Sequence, residues 1–386
     1  MLKKISHFPY FSNSVRTFFP LVALIAIFVP MWTVGNIVNQ YPFNHAFFNI
    51  FEWHGFEMLF GFFYSLVIGF ILTAGAHWTK QKPINGLPML LLFAFWAIDQ
   101  ALILMASHPV MVFLSSLLLG IYFSSLVYLT LQSYPQRIKF FVLTGSLTIL
   151  KLSFILIKIF NLNWLKEYIY DYTVITLCFL ALLMASRVIP NFTRNILKEK
   201  YTRVCPAWLE SSTLVVNLAL FLVPLIQDPM FQFSVFISCG FLNLLKLSFY
   251  HFTLAIRSSI IGMLHIGFLT LSLSLVFKGL SFYIDTLANT RASLHLILTG
   301  GISILGLNIM IRATLGHTGR KVESSKAIKA MYFFIILGAL IRFIVPVIAP
   351  DYFIRSLHHS MGHWTMAFLI YLIFFAHMCF KPRLDS

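Results

Sequence analysis

Residues 294–320 read LHLILTGGISILGLNIMIRATLGHTGR. Between Leu294 and Ile311 there is no acid, lysine or arginine, and about 20 residues of this kind, rising 1.5 Å each, cross the hydrocarbon core of a bilayer. The stretch is therefore expected as a membrane helix. Lipid asks for no polar residue in such a helix. This one nevertheless opens with His295, ends at Arg312 and runs into the turn Gly316-His317-Thr318-Gly319-Arg320. Ionisable groups at membrane depth are costly, and chains that keep them there generally use them.

The rest of the chain has the same character. Of its 386 residues, 59% are hydrophobic and 10% are charged, where a soluble domain carries about 25% charged residues. That excludes a soluble globule. The 42 Phe suit lipid-facing and helix-packing positions. A net charge of +16 would suggest nucleic acid in a water-soluble protein. Here the basic residues sit in short loops between apolar runs, where they set topology and face anionic lipid. No aromatic-interleaved basic patch lies on a soluble segment, so the expected partner is the lipid bilayer and not nucleic acid. Cys178, Cys205, Cys239 and Cys379 form no CxxC pair, and neither a disulfide framework nor a zinc site is read. Lys3, Lys4 and Arg16 precede the apolar run Leu21–Val38, which lacks a small-residue cleavage site and reads as a retained first membrane helix.

Length and hydropathy give twelve candidate spans, near residues 18–38, 56–77, 87–106, 110–131, 138–159, 170–190, 211–225, 231–248, 258–277, 293–311, 328–348 and 361–380. The seventh and eighth are short and joined by Gln227-Asp228-Pro229. With the N-terminus inside, 21 of the 28 Lys and Arg fall in inner segments. Five fall in outer loops (Lys158, Lys166, Lys278, Arg291 and Arg355), and Lys151 and Arg342 lie within spans. This bias obeys the positive-inside rule and places both termini in the cytoplasm. The longest polar connector, Pro190–Glu210, carries Arg194, Lys198, Lys200 and Arg203. The expectation is an all-α polytopic membrane bundle, residues 1–386 as one domain, with six-helix halves 1–190 and 211–386 joined by that basic cytoplasmic loop.

Several polar residues stand out against this background. In Trp53-His54-Gly55-Phe56-Glu57, His54 and Glu57 are three apart and share a helix face at the outer mouth of the second span. Imidazole ligates iron, copper and zinc, and a nearby carboxylate orients the ring or ligates directly. The competing reading is an interfacial pair that merely hydrogen-bonds. His265 lies deep in the ninth span and His295 opens the tenth near the level of His54. Each is either a ligand or a histidine bonded to a neighbouring helix. Arg312 and Arg320 flank the Gly-His-Thr-Gly turn. Guanidinium groups hold carboxylates such as haem propionates, and the same residues serve equally as inner-face anchors. Pro190 is expected to end the sixth helix, with Asn191 or Thr193 capping the next segment. Lys151 and Arg342 are buried cations, with Glu57, Asp99 and Asp285 as possible counter-ions. His358, His359 and His363 form an outer tract read either as a copper or zinc site or as a solvated loop. Walker A, GxSxG, HExxH and CxxCH signatures are absent, so no catalytic residue is named.

Taken together, WHGFEMLFGF (53–62), GFILTAGAHWT (69–79), RVIPNFTRN (187–195), GMLHIGF (262–268) and the 294–320 stretch resemble the NnrS family of bacterial polytopic membrane proteins. The resemblance implies a twelve-helix haem- and copper-associated protein of the bacterial inner membrane, linked to nitric oxide metabolism and resistance to nitrosative stress. Carried over residue by residue, cofactor-binding candidates are His54, His265, His295, Arg312, His317 and Arg320, and the metal candidates are His54, Glu57, His265 and His295. One position departs. The family's first motif reads Trp-His-x-His-Glu-Met, and here Phe56 replaces the second histidine with a ring that cannot ligate. Nitric oxide is small and membrane-soluble, so a buried metal could meet it directly. No internal electron source is visible, so turnover implies a membrane redox partner. Two other readings stay open at this stage: a twelve-helix secondary transporter for a metal or its complex, and a non-enzymatic assembly or regulatory protein.

Overall fold

The computed structural model describes residues 8–39, 43, 45, 47–105, 108–135, 137–289 and 291–385. Among the described residues there is no strand. Twelve principal helices succeed one another. They are α1 (Ser14–Asn39), α2 (Ile50–Thr79), α3 (Leu87–Leu104), α4 (Pro109–Leu131), α5 (Arg137–Phe160) and α6 (Lys166–Leu197). After the connector come α7 (Ala207–Ala219), α8 (Pro229–Phe249), α9 (Ser259–Leu280), α10 (Ala292–His317), α11 (Lys326–Ile348) and α12 (Phe353–Phe374). Eleven are long and apolar enough to cross a membrane, which makes this a multi-pass membrane protein. The exception is α7, which together with the turn after it covers only Ala207–Leu222, or about 24 Å of helix. Large apolar side chains such as Leu118, Ile121, Phe241 and Phe333 are exposed, a surface suited to lipid and not to water.

The helices assemble into two compact units. Unit 1 holds the residues up to Thr176 with 310–321 and 368–386; unit 2 holds 177–309 and 322–367. In unit 1, Ser14 Oγ at the start of α1 donates to the Gly69 carbonyl of α2 at 2.8 Å and lies 2.7 Å from Thr73 Oγ1. Trp96 Nε1 of α3 donates to Ser65 Oγ at 2.7 Å. In unit 2, α9 and α10 approach closely because Gly301 has no side chain: a β-carbon there would sit 2.8 Å from Leu271 Cα. Asn308 Nδ2 then ties α10 to the Ile260 carbonyl of α9 at 2.8 Å and to Tyr332 Oη of α11 at 2.7 Å.

Burial divides the helices by role. The apolar window of α2 is 89% buried and that of α10 is 72% buried, against 39% for α1 and 33% for α11. The helices that carry His54, Glu57 and His295 are thus interior ones. Both change winding just after their histidine, with a π-helical turn at Glu57–Phe63 in α2 and another at Leu296–Ile302 in α10. Such turns recur at functional sites.

Two expectations change. Helix α6 does not stop at Pro190; it runs through it to Leu197. A proline removes one backbone donor, and membrane helices tolerate this when side chains satisfy neighbouring groups. Thr193 accordingly caps nothing: its hydroxyl donates back to the Ile189 carbonyl at 2.7 Å. Helix α2 begins at Ile50, where Asn49 and Glu52 form a capping box, so His54 lies a turn inside the helix.

Candidate functional site

Two histidines, His54 on α2 and His265 on α9, are oriented by the same device. Thr33 Oγ1 of α1 donates its only proton to the Val29 carbonyl at 2.8 Å. Its oxygen lies 3.2 Å from His54 Nδ1, so the ring must supply the hydrogen there. In the neutral ring the basic nitrogen is then Nε2. In unit 2, Thr193 Oγ1 has given its proton to Ile189, so at 2.9 Å it accepts from His265 Nε2–H. The basic nitrogen of His265 is then Nδ1. That atom is buried without a hydrogen-bond partner, on a side chain with no solvent exposure. A hydrogen bond that fixes a tautomer and aims the other nitrogen is how proteins prepare an imidazole for a metal. Neither threonine is announced by local sequence, because the partnerships join residues 21 and 72 apart.

His295 differs. Its Nδ1 lies 3.1 Å from the Arg291 carbonyl and therefore donates, and its Nε2 lies 3.3 Å from Arg342 Nη2 and therefore accepts. Both ring nitrogens are engaged within unit 2.

Glu57, buried at 5% exposure, faces Lys151 of α5 and Asp99 of α3 within electrostatic reach. Lys151 forms an ion pair with Asp99 Oδ2, while Ser115 and Ser116 of α4 donate to Oδ1 at 2.8 and 2.6 Å. Of the possible counter-ions for Lys151, Asp99 is the one in contact. Phe56 belongs to this cluster as an aromatic wall. It is fully buried against Phe48, Phe60 and Phe154, with the Lys151 ammonium 5.8 Å from its ring centre. The position at which the resemblance leads one to expect a histidine thus holds a ring that packs and attracts a cation. At the N-terminal end of α2, Glu52 takes Lys158 at 2.7 Å and Lys166 at 3.2 Å.

The Gly-His-Thr-Gly-Arg turn is fastened by a residue that its sequence position marks only as an N-terminal anchor. Arg16 is 2% exposed, and its Nη2 donates to the His317 carbonyl at 2.9 Å and Nη1 to the Lys381 carbonyl at 2.8 Å. Arg320 Nη1 donates to the Thr318 carbonyl at 3.2 Å. Gly319 takes φ +72°, and the chain end packs on it through Leu384 N–H to Thr318 O at 3.2 Å. Arg312 lies one turn before Gly316 on α10. His317, Arg312 and Arg320 therefore belong to unit 1 with His54 and Glu57, while His265 and His295 belong to unit 2. Among the described residues, no three His, Cys, Asp or Glu side chains gather as a group able to hold a metal ion. His358 and His359 sit exposed on α12, where His363 Nδ1 bonds the His359 carbonyl at 2.6 Å.

Comparison with curated proteins finds no match. The sequence model described as "NnrS protein" aligns with residues 9–383 of the 386, and the chain belongs to the NnrS family.

Proposed function

We propose that this protein is a haem- and copper-binding member of its family in the bacterial inner membrane, acting in nitric oxide metabolism or in resistance to nitrosative stress, with both termini in the cytoplasm. The observation that carries the reading is His265: a neutral, fully buried imidazole whose Nε2–H is held by Thr193 and whose bare Nδ1 has no hydrogen-bond partner. An apolar interior does not hold a lone acceptor without cost, about 1–3 kcal/mol for an unmade hydrogen bond, and a metal bond removes that cost.

The chemistry of the two nitrogens differs. Nδ1 adjoins the β-carbon, so a flat macrocycle approaching it meets the ring's own helix, whereas a single copper ion does not. His54 presents Nε2, at the tip of its ring, which suits haem. Arg312 and Arg320 lie at the opposite end of the spans from His54, and would hold propionates only of a haem seated beside His317. A metal at these nitrogens would supply a centre to which nitric oxide binds. The residues themselves do the rest. Thr33 and Thr193 hold the tautomers, the Phe-rich surroundings of α2 exclude water, and turnover draws electrons from a membrane redox partner. A second reading, a secondary transporter, is favoured by one observation: the buried Asp99–Lys151 pair beside Glu57 in unit 1, since buried charges line ion pathways.

The deciding experiment is a visible absorption spectrum of detergent-purified protein, with iron and copper counted on the same sample. A Soret band that shifts on adding nitric oxide supports the proposal. A colourless, metal-free protein that stays so after hemin and copper are added refutes it and moves transport ahead.

A further inference from the structure

We infer that Arg342 and His295 form a binding site for a small planar oxyanion, a carboxylate or a nitrite-like ion, in unit 2. This does not rest on the metal reading and changes what His295 is for.

Arg342 lies within α11, at membrane depth by sequence. Its guanidinium offers five N–H donors and no acceptor. Among the described residues it has one polar partner, His295 Nε2, at 3.3 Å from Nη2. Nη1 is buried and has no hydrogen-bond partner. No carboxylate within ion-pair distance balances the charge among the described residues, although Asp99 does so for the buried Lys151 and Glu210 for the buried Lys246. His295 cannot balance it either. Its Nδ1 donates to the Arg291 carbonyl, so the ring is a neutral acceptor towards Arg342. A largely buried cation with an unmade donor and no carboxylate beside it is relieved by an anion.

The shape of the anion is set by the groups around the guanidinium. The ring of Phe353 lies over it, with 5.6 Å from Cζ to the ring centre, and so occupies a face. The N–H groups point along the edge, in the guanidinium plane. An anion with two oxygens in one plane matches that edge, and a tetrahedral or spherical one does so less well. The same end of unit 2 carries Lys278, Arg291, Arg355, His358 and His359 against Asp285 and Asp351, an excess that draws anions inward. A metal cation placed on His295 would instead face a guanidinium 3.3 Å from the nitrogen it needs.

The test is thermal unfolding of the purified protein in detergent with sodium nitrite, sodium acetate, sodium sulfate or sodium chloride at matched ionic strength. Nitrite and acetate are expected to raise Tm in a saturable way that chloride and sulfate do not reproduce. Arg342→Gln is expected to abolish the effect. Should that variant fold poorly, Arg342→Lys keeps the charge without the fork, and its apparent affinity is expected to fall at least about tenfold. His295→Phe is expected to weaken the effect and leave the preference among anions unchanged. Unfolding that is blind to nitrite and acetate in the unaltered protein, or equal shifts in the Arg342 variants, overturns the site. Repeating the nitrite series after incubation with hemin assigns the occupant. Loss of the shift marks a porphyrin carboxylate as the natural ligand, and its persistence marks a free anion. Absence of a Soret band would sink the haem reading and leave this one standing.

Discussion

Replacing Asp99 by Asn tests whether the polar centre of unit 1 is held by charge. The side chain keeps its shape, and its oxygen can still accept from Ser115 and Ser116, now at 2.8 and 2.6 Å. What is lost is the carboxylate that Lys151 touches, between side chains 0% and 2% exposed. The new amide NH2 faces an ammonium, donor against donor, and the cation keeps the rings of Phe56 and Tyr64, at 5.8 and 5.9 Å, and the more distant Glu57. Removing one partner of a buried pair costs about 3–5 kcal/mol, because the survivor is left desolvated and unpaired. Replacing both should cost far less. Asp99→Asn with Lys151→Met is therefore expected to be at least about 2 kcal/mol more stable than the sum of the single variants implies. The assay is reversible unfolding in mixed dodecyl sulfate and mild detergent, read by tryptophan fluorescence. Trp96, hydrogen-bonded to Ser65 in the same unit, lies on the helix that carries Asp99. A loss under about 1 kcal/mol for Asp99→Asn, or strict additivity in the double variant, would show that the pair is not electrostatically sealed and refute the reasoning.

Three further outcomes are expected. Thr193→Val keeps the volume but leaves His265 Nε2–H unaccepted; it should cost about 1–3 kcal/mol and weaken metal retention by about 10- to 100-fold, measured by metal content after dialysis against a chelator. The connector should loosen in acid. His251 Nε2 accepts the Arg203 amide at 3.0 Å, and burial together with the Arg203 guanidinium holds this imidazole below its ordinary range. The unfolded ring takes up a proton first, so the contact is at full strength above about pH 6.5 and fades as pH falls below it. Hydrogen exchange of residues 200–206, corrected for intrinsic rate, should rise on acidification and be flat with pH in His251→Gln. Finally, a reporter fused after Arg383 should signal a cytoplasmic C-terminus; a periplasmic signal would mean that the short α7 does not cross the bilayer.

Most of the fold was legible because lipid imposes it. Hydropathy reflects the cost of charge in hydrocarbon, and each of the twelve apolar runs became a helix. Pro190 misled because proline is a weaker breaker where there is no water to compete for the freed carbonyl. The π turns were hidden, since Glu57–Phe63 and Leu296–Ile302 keep the composition of ordinary apolar helix. Of the site, the residue types were visible and the partnerships were not. Nothing near His265 in sequence announces Thr193, and nothing in Lys151 selects Asp99 over Glu57. Such choices are made by helix packing. Arg16 has the sequence context of an N-terminal anchor, and its real partners are carbonyls at positions 317 and 381.

That last arrangement bears on how the chain is made. Arg16 leaves the ribosome among the first residues, and the second of its two short acceptors lies 365 positions later. At about 5–20 residues per second, α1 waits roughly 20–70 s before its guanidinium has both carbonyls. Until then a cationic side chain in the first turn of the nascent helix stays only partly bound. A chain that stops before Lys381 therefore differs from the finished protein at a single residue near its start, an arginine short of one of its two close carbonyl partners.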